Sequence, residues 1–74
     1  MMKPLSRTNL ADNAADAIRA EILGGRWPIG EKLPNEASLS SMLSVSRGTV
    51  REAVRALVSQ GLLETRQGSG TYVR

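Results

Sequence analysis

Arg47, Arg51 and Arg55 recur every four residues within "VSRGTVREAVRALVSQG", which runs from Val45 to Gly61. On a helix this spacing sets successive arginines ~40° apart, along one strip of surface. Val50, Ala53, Val54 and Leu57 thread between them and occupy ~240° to ~340° measured from Arg47. The segment therefore has a dry side and a guanidinium side. A guanidinium can bond bidentately to the O6 and N7 edge of guanine, and it also pairs with phosphate. Ser46 and Thr49 bring hydroxyls to the helix start, where free amides and the helix dipole attract a phosphate. Gly48 has no side chain to hinder close approach. A plain solvated face is the competing reading. Arginines at i, i+4 are common on exposed helices, and Glu52 can pair with Arg55 at i, i+3.

A second candidate is "RQGSG", residues 66–70, between two β-prone runs. Gly68 and Gly70 allow a backbone to come close to a sugar-phosphate chain or to enter a minor groove. Gln67 can donate to minor-groove acceptors, and Arg66 is expected to face outward. For this stretch taken alone, the simpler reading is preferred: the glycines permit the turn.

Other chemistries lack their residues. There is no His and no Cys. The commonest general base and transition-metal ligand are therefore missing, and disulfides and thiolate ligands are impossible. Asp12 and Asp16 form a carboxylate pair at i, i+4, but no third carboxylate joins them and Arg19 can neutralise Asp16. No enzymatic activity, metal or cofactor is expected. Trp27 beside Pro28 is read as a plug at the edge of a small core, in preference to a base-stacking residue. Tyr72 is read as a sheet residue packing on the last helix. Lys32 and Arg26 are read as solvated surface in preference to phosphate contacts.

A chain of 74 residues makes one small domain. With one Trp, one Tyr and no Phe, its core must be aliphatic. Ten Lys and Arg against seven Asp and Glu give a net charge of +3, which leans toward an acidic partner. No apolar run approaches the ~18 residues of a membrane span, so a soluble cytoplasmic protein without membrane contact is expected.

The elements that must position these residues follow from periodicity and punctuation. Residues 1–8 read as a loose tail, and 9–74 as the domain. The first helix is expected to begin near Asn9 as N-cap, with Asp12 in its first turn. It would bury Leu10, Ala14, Ala17, Ile18 and Ile22 and stop at Gly24–Gly25. "RWPIGEKLP" is a connector, with a very short strand possible at residues 31–33. The second helix should run from Asn35, its cap, to Leu43, burying Leu39, Met42 and Leu43. A turn at 44–46 leads into the arginine helix, capped by Ser46 and ended by Gly61. The two closing runs make a hairpin, with Leu63 and Val73 facing the core. The fold class is mainly α with a small β-hairpin: three helices plus a two- to three-stranded wing sheet, a winged helix-turn-helix.

"PIGEKLPNE", "VSRGTVREAVRAL" and "GLLETRQGSGTYV", in this order and spacing, resemble the N-terminal domain of GntR-family bacterial transcription regulators. The resemblance covers about Leu10 to Val73, and the similarity looks closest to the FadR-type branch. It implies sequence-specific binding of a palindromic double-stranded operator as a homodimer, in a repressor or activator. The recognition helix would lie in the major groove and the wing in the minor groove. Family base or phosphate contacts fall on Arg47 and Arg51, the surrounding hydroxyls on Ser46 and Thr49, and the wing tip on Gln67 and Gly68. The resemblance also implies a small-molecule effector, bound through a C-terminal domain that this chain lacks. The site expected is thus Asn35, Ser46, Arg47, Gly48, Thr49, Arg51, Arg55, Arg66, Gln67 and Gly68.

Three positions depart from the family pattern. Asn35-Glu36-Ala37 replaces a Ser-Glu-Arg-like triplet, Ser44 stands where Gly is frequent, and Gly48 replaces Thr or a similar residue. A different class of use is a winged helix that serves as a protein-interaction module. That use calls for an apolar or acidic recognition face.

Overall fold

The computed structural model describes residues 7–74, with side chains from residue 10 onward. Three helices precede a hairpin: α1 (Arg7–Leu23), α2 (Glu36–Leu43), α3 (Arg47–Ser59), β1 (Leu63–Arg66) and β2 (Gly70–Val73). Of the expected tail, residues 1–6 lie outside the described residues, whereas Arg7 and Thr8 are helical. The start expected at Asn9 is therefore two residues late. Asn9 lies inside α1, and no acidic residue occupies the first turn, Asp12 included. Asn disfavours a helix interior by only a few tenths of a kcal/mol, so a helix held by its packed face readily runs past it.

The buried stripe of α1 also differs from expectation. Ala11, Ala14, Ala15 and Ile18 are buried, while Leu10 is half exposed. Small alanines on the contact side let α1 approach α3, its principal partner. In α2, Leu39 is buried and Leu43 packs against the core, but Met42 is exposed. The arginine helix behaves as its periodicity requires. Val50, Ala53 and Leu57 are buried and Val54 is half-buried. Ile18, Val50, Leu57 and Leu63 are the largest fully buried side chains, and Trp27, 6% exposed, closes one edge of the core.

The hairpin pairs Leu63 with Val73, Glu64 with Tyr72, Thr65 with Thr71 and Arg66 with Gly70. The sheet is two-stranded, and the connector joins it at one isolated antiparallel bridge, Lys32 to Tyr72, where the sequence allows a very short strand. Around that bridge the amides of Gly30 and Leu33 donate to Val73 and Thr71 oxygens at 2.8 Å each. The amide of Val73 donates back to the Glu31 oxygen at 2.9 Å. The whole is a winged helix-turn-helix. Among the described residues, no helix is long and apolar enough to cross a membrane.

All three helices stop in the same way. A left-handed residue closes each helix, and its own amide and the following one fold back onto the last turn. After α1 the turning residue is Gly25, φ 85°, with Arg26 N–H donating to Glu21 O at 3.0 Å. After α3 it is Gly61, φ 83°, with Leu62 N–H donating to Leu57 O at 3.0 Å. After α2 it is Ser44, at φ 57° and ψ 44°, with Val45 N–H donating to Ser40 O at 3.1 Å. Ser44 is thus the one non-glycine residue with positive φ among the described residues. Its side chain makes no hydrogen bond there. Because the left-handed conformation costs a side-chain-bearing residue ~1–2 kcal/mol, and glycine loses part of that gain to unfolded-state entropy, Ser44→Gly is expected to stabilise the domain by up to ~1 kcal/mol. A thermal melt followed by circular dichroism should show the midpoint rising by a few degrees.

Candidate nucleic-acid interface

Ser46 sets the start of α3. Its backbone is extended, φ −72° and ψ 159°, and its hydroxyl accepts from the Thr49 amide at 3.1 Å. The same hydroxyl donates to the Thr49 side-chain oxygen at 3.0 Å. Asn35 does the same for α2, accepting from the Ser38 amide at 2.8 Å. In the turn between the helices, the Ser40 hydroxyl donates to the Val45 carbonyl. Both helix caps and the turn between them are therefore tied by local hydrogen bonds, which set the angle between α2 and α3.

The open side of α3 carries Arg47, Gly48, Arg51, Glu52 and Arg55, all exposed. None of the three guanidinium groups is turned into the core. Arg51 is held by α2: its Nε donates to Glu36 Oε2 at 3.1 Å and its Nη2 to Glu36 Oε1 at 3.0 Å. These bonds, and the attraction of the carboxylate, raise the pKa of Arg51 above the ordinary arginine value. Arg47 and Arg55 make no ion pair or side-chain hydrogen bond among the described residues, so the Glu52–Arg55 pair that a plain solvated face would allow is not formed there. Spacing rules see only neighbours on one helix. The partner that Arg51 found lies 15 residues away.

The hairpin faces the same space. A cleft of about 420 Å³ lies between α3, the start of α2 and the wing, lined by Lys32, Glu36, Arg51, Arg55, Ser69 and Gly70 among others. At the wing tip Gln67 and Gly68 are exposed, and Gly68 has φ 77°. Arg66 lies over the Tyr72 ring, 4.1 Å from its centroid, and its Nε is 3.2 Å from Glu64 Oε2. The Tyr72 and Ser69 hydroxyls bond to each other. The Lys32 side chain lies against the wing beside its turn, so closely that a Cβ on Gly70 would lie 2.6 Å from its Cε.

The family model described as "Bacterial regulatory proteins, gntR family" matches residues 10–73. This chain belongs to the GntR family. It is 49% identical over 97% of its length to the mannosyl-D-glycerate transport/metabolism system repressor MngR of Escherichia coli, covering 28% of that protein. It is 41% identical over 99% of its length to the transcriptional regulator Mce2R of Mycobacterium tuberculosis, covering 30%. The chain thus spans under a third of these relatives. Among solved structures, the AraR DNA-binding domain in complex with operator ORX1 superposes with a TM-score of 0.83 at 37% identity, over 100% of this chain and 92% of that one.

In this GntR domain the candidate residues fall into groups. Arg47, Gly48, Arg51 and Arg55 share the open face of α3, while Gln67 and Gly68 form the exposed wing tip. Arg66 is exposed but engaged by Tyr72 and Glu64. Asn35 has its side-chain oxygen committed to the α2 cap. Thr49 is placed differently from expectation. It is 6% exposed, with its hydroxyl and amide both bonded to Ser46, so it braces the helix start from beneath and presents nothing outward. The helical wheel held the signal, since Thr49 lies at ~200° from Arg47, beside the dry arc.

Gly48 is not required by space: a Cβ there would approach nothing nearer than Ser46 Oγ at 3.8 Å. Glu36 and Lys32 belong to the cleft but were absent from the expected site. The open face is basic, not apolar or acidic. Removing the α3 cap should loosen this face first. Ser46→Ala is expected to lower stability by ~1 kcal/mol, read as a reduced urea midpoint at unchanged slope.

Proposed function

We propose that this domain binds duplex operator DNA, with α3 in the major groove and the hairpin tip at the adjoining minor groove. The observation that carries the reading is the placement of three exposed guanidinium groups on one side of α3, two of which, Arg51 and Arg55, line a cleft shared with a glycine-bearing wing. Docking would be largely electrostatic, through phosphates, and base edges would supply the selectivity. The operator complexes of the AraR domain, which shares this fold, support the same use.

The chain's relatives are transcriptional regulators by name, and we place this domain, residues 9–74, in a bacterial cytoplasmic regulator of that type. The complete protein would act as a homodimer on a palindromic site. It would respond to a small effector through a further C-terminal domain. Arg47 is positioned to reach bases or nearby phosphates from the first turn of α3. Arg51 and Arg55 follow it along the groove, and Gln67 and Gly68 serve the wing. Ser46, Gly48, Asn35 and Arg66 flank this path.

Selection of bound duplexes from a random pool, repeated with Arg47→Ala, tests the reading. The variant should lose ~1–3 kcal/mol on the selected site and blur preference at one base position. Log affinity should fall with log salt by ~0.9 for every phosphate neutralised. Affinity that ignores salt would remove the basis of the proposal.

A further inference from the structure

Resting on the reading just given, we propose that Glu36 is a positioning residue that turns Arg51 into a guanine reader and keeps it from clamping phosphate. The argument begins with the donors of a guanidinium. It has five N–H groups in one plane. Glu36 takes the Nε side: one bond from Nε at 3.1 Å and one from Nη2 at 3.0 Å. Three N–H bonds remain, and two of them, one on Nη1 and one on Nη2, lie parallel along the end edge. That edge matches the O6 and N7 acceptors of guanine.

Glu36 itself cannot wander. It is the first residue of α2, directly behind the Asn35 cap, and its carboxylate lies at the positive end of that helix. The fork is bidentate, the geometry in which an exposed pair holds its shape. The side chains are 56% exposed for Arg51 and 37% for Glu36, so the pair stands at the rim of the cleft within reach of a groove. Arg47 and Arg55 have no such brace among the described residues.

Two consequences follow from the charge. The donors most suited to gripping a phosphate side-on are already occupied, and a carboxylate stands beside any backbone that approaches. Both weaken binding to arbitrary DNA without weakening an edge-on contact to guanine. Glu36 thereby raises the ratio of cognate to non-cognate affinity.

The test uses the 74-residue chain, its selected duplex and a set of single-base variants of that duplex, with binding read by fluorescence anisotropy. Arg51→Ala identifies the base position that depends on Arg51. Glu36→Gln, which keeps the shape and removes the charge, should flatten preference at that same position by about tenfold. It should also tighten non-cognate binding and steepen the salt slope by about 0.9, one more phosphate contact. Arg51→Lys keeps the charge but has no planar fork. It should flatten the same position while retaining non-cognate affinity, and it decides the matter if Glu36→Gln fails to fold.

A uniform gain in affinity for every duplex in Glu36→Gln, with base preference intact, overturns the assignment: the carboxylate then only repels DNA. Preference flattened at a different position from Arg51→Ala overturns it as well. Wild-type protein that binds no duplex defeats the operator-binding reading itself, and this one with it. That outcome is distinct from specific wild-type binding that survives Glu36→Gln unchanged.

Discussion

The rotation of α3 about its own axis governs the molecule. A helix has one degree of freedom that a side-chain inventory does not reveal: which way it is turned. Here burial of Val50, Ala53 and Leu57, at 1%, 0% and 0% exposure, fixes that turn. The helix packs against α1, α2 and β1. Rolling it by a quarter turn would bring a guanidinium under α1 and lift Leu57 into water. Burying an unpaired charge costs several kcal/mol and exposing a leucine ~2, so small rolls are strongly opposed. The basic face is thus set chiefly by aliphatic packing, with the Arg51–Glu36 pair holding the same orientation at the surface.

The helix ends matter for the same reason. Three helices in so short a chain leave little core for each, and their directions must be set by the corners between them. One stop is used throughout, with a left-handed residue at Gly25, Ser44 and Gly61. Two of these are glycines. The third lies in the turn that sets α2 against α3, and there the molecule accepts a left-handed serine. Hydrogen bonds on either side of it, from Ser40 to Val45 and from Ser46 to Thr49, compensate locally.

Much of this was legible in the sequence because it rests on short-range rules. The arginine helix, its cap at Ser46 and its stop at Gly61 follow from period and punctuation, and the hairpin from its glycine loop. Leu63 and Val73 lie inward as alternation demands. The errors arose where tertiary contact overrides pattern. Leu10 and Met42 satisfy an apolar spacing yet are exposed: in α1 the buried stripe runs through Ala11, Ala14, Ala15 and Ile18, and in α2 through Leu39. Thr49 sits where its spacing suggests a hydroxyl on offer, yet it is a buried brace. The Glu36–Arg51 fork could not be read at all. It joins two helices across a turn, and only their packed angle brings the carboxylate to the guanidinium. The resemblance to the family located the arginines but was silent on what holds them.

The bridge between Lys32 and Tyr72 ties the connector to the hairpin in front of the cleft. A two-stranded ribbon alone would swing freely on Gly61 and sample many tilts relative to α3. With a third backbone segment stitched along β2 at Gly30, Glu31 and Leu33, the wing and the helix become one preorganised pincer. A double helix meeting it has little conformational freedom to extract, so the entropic penalty of association falls mainly on rigid-body capture. That single bridge is in this sense what fixes the tilt of the wing relative to α3.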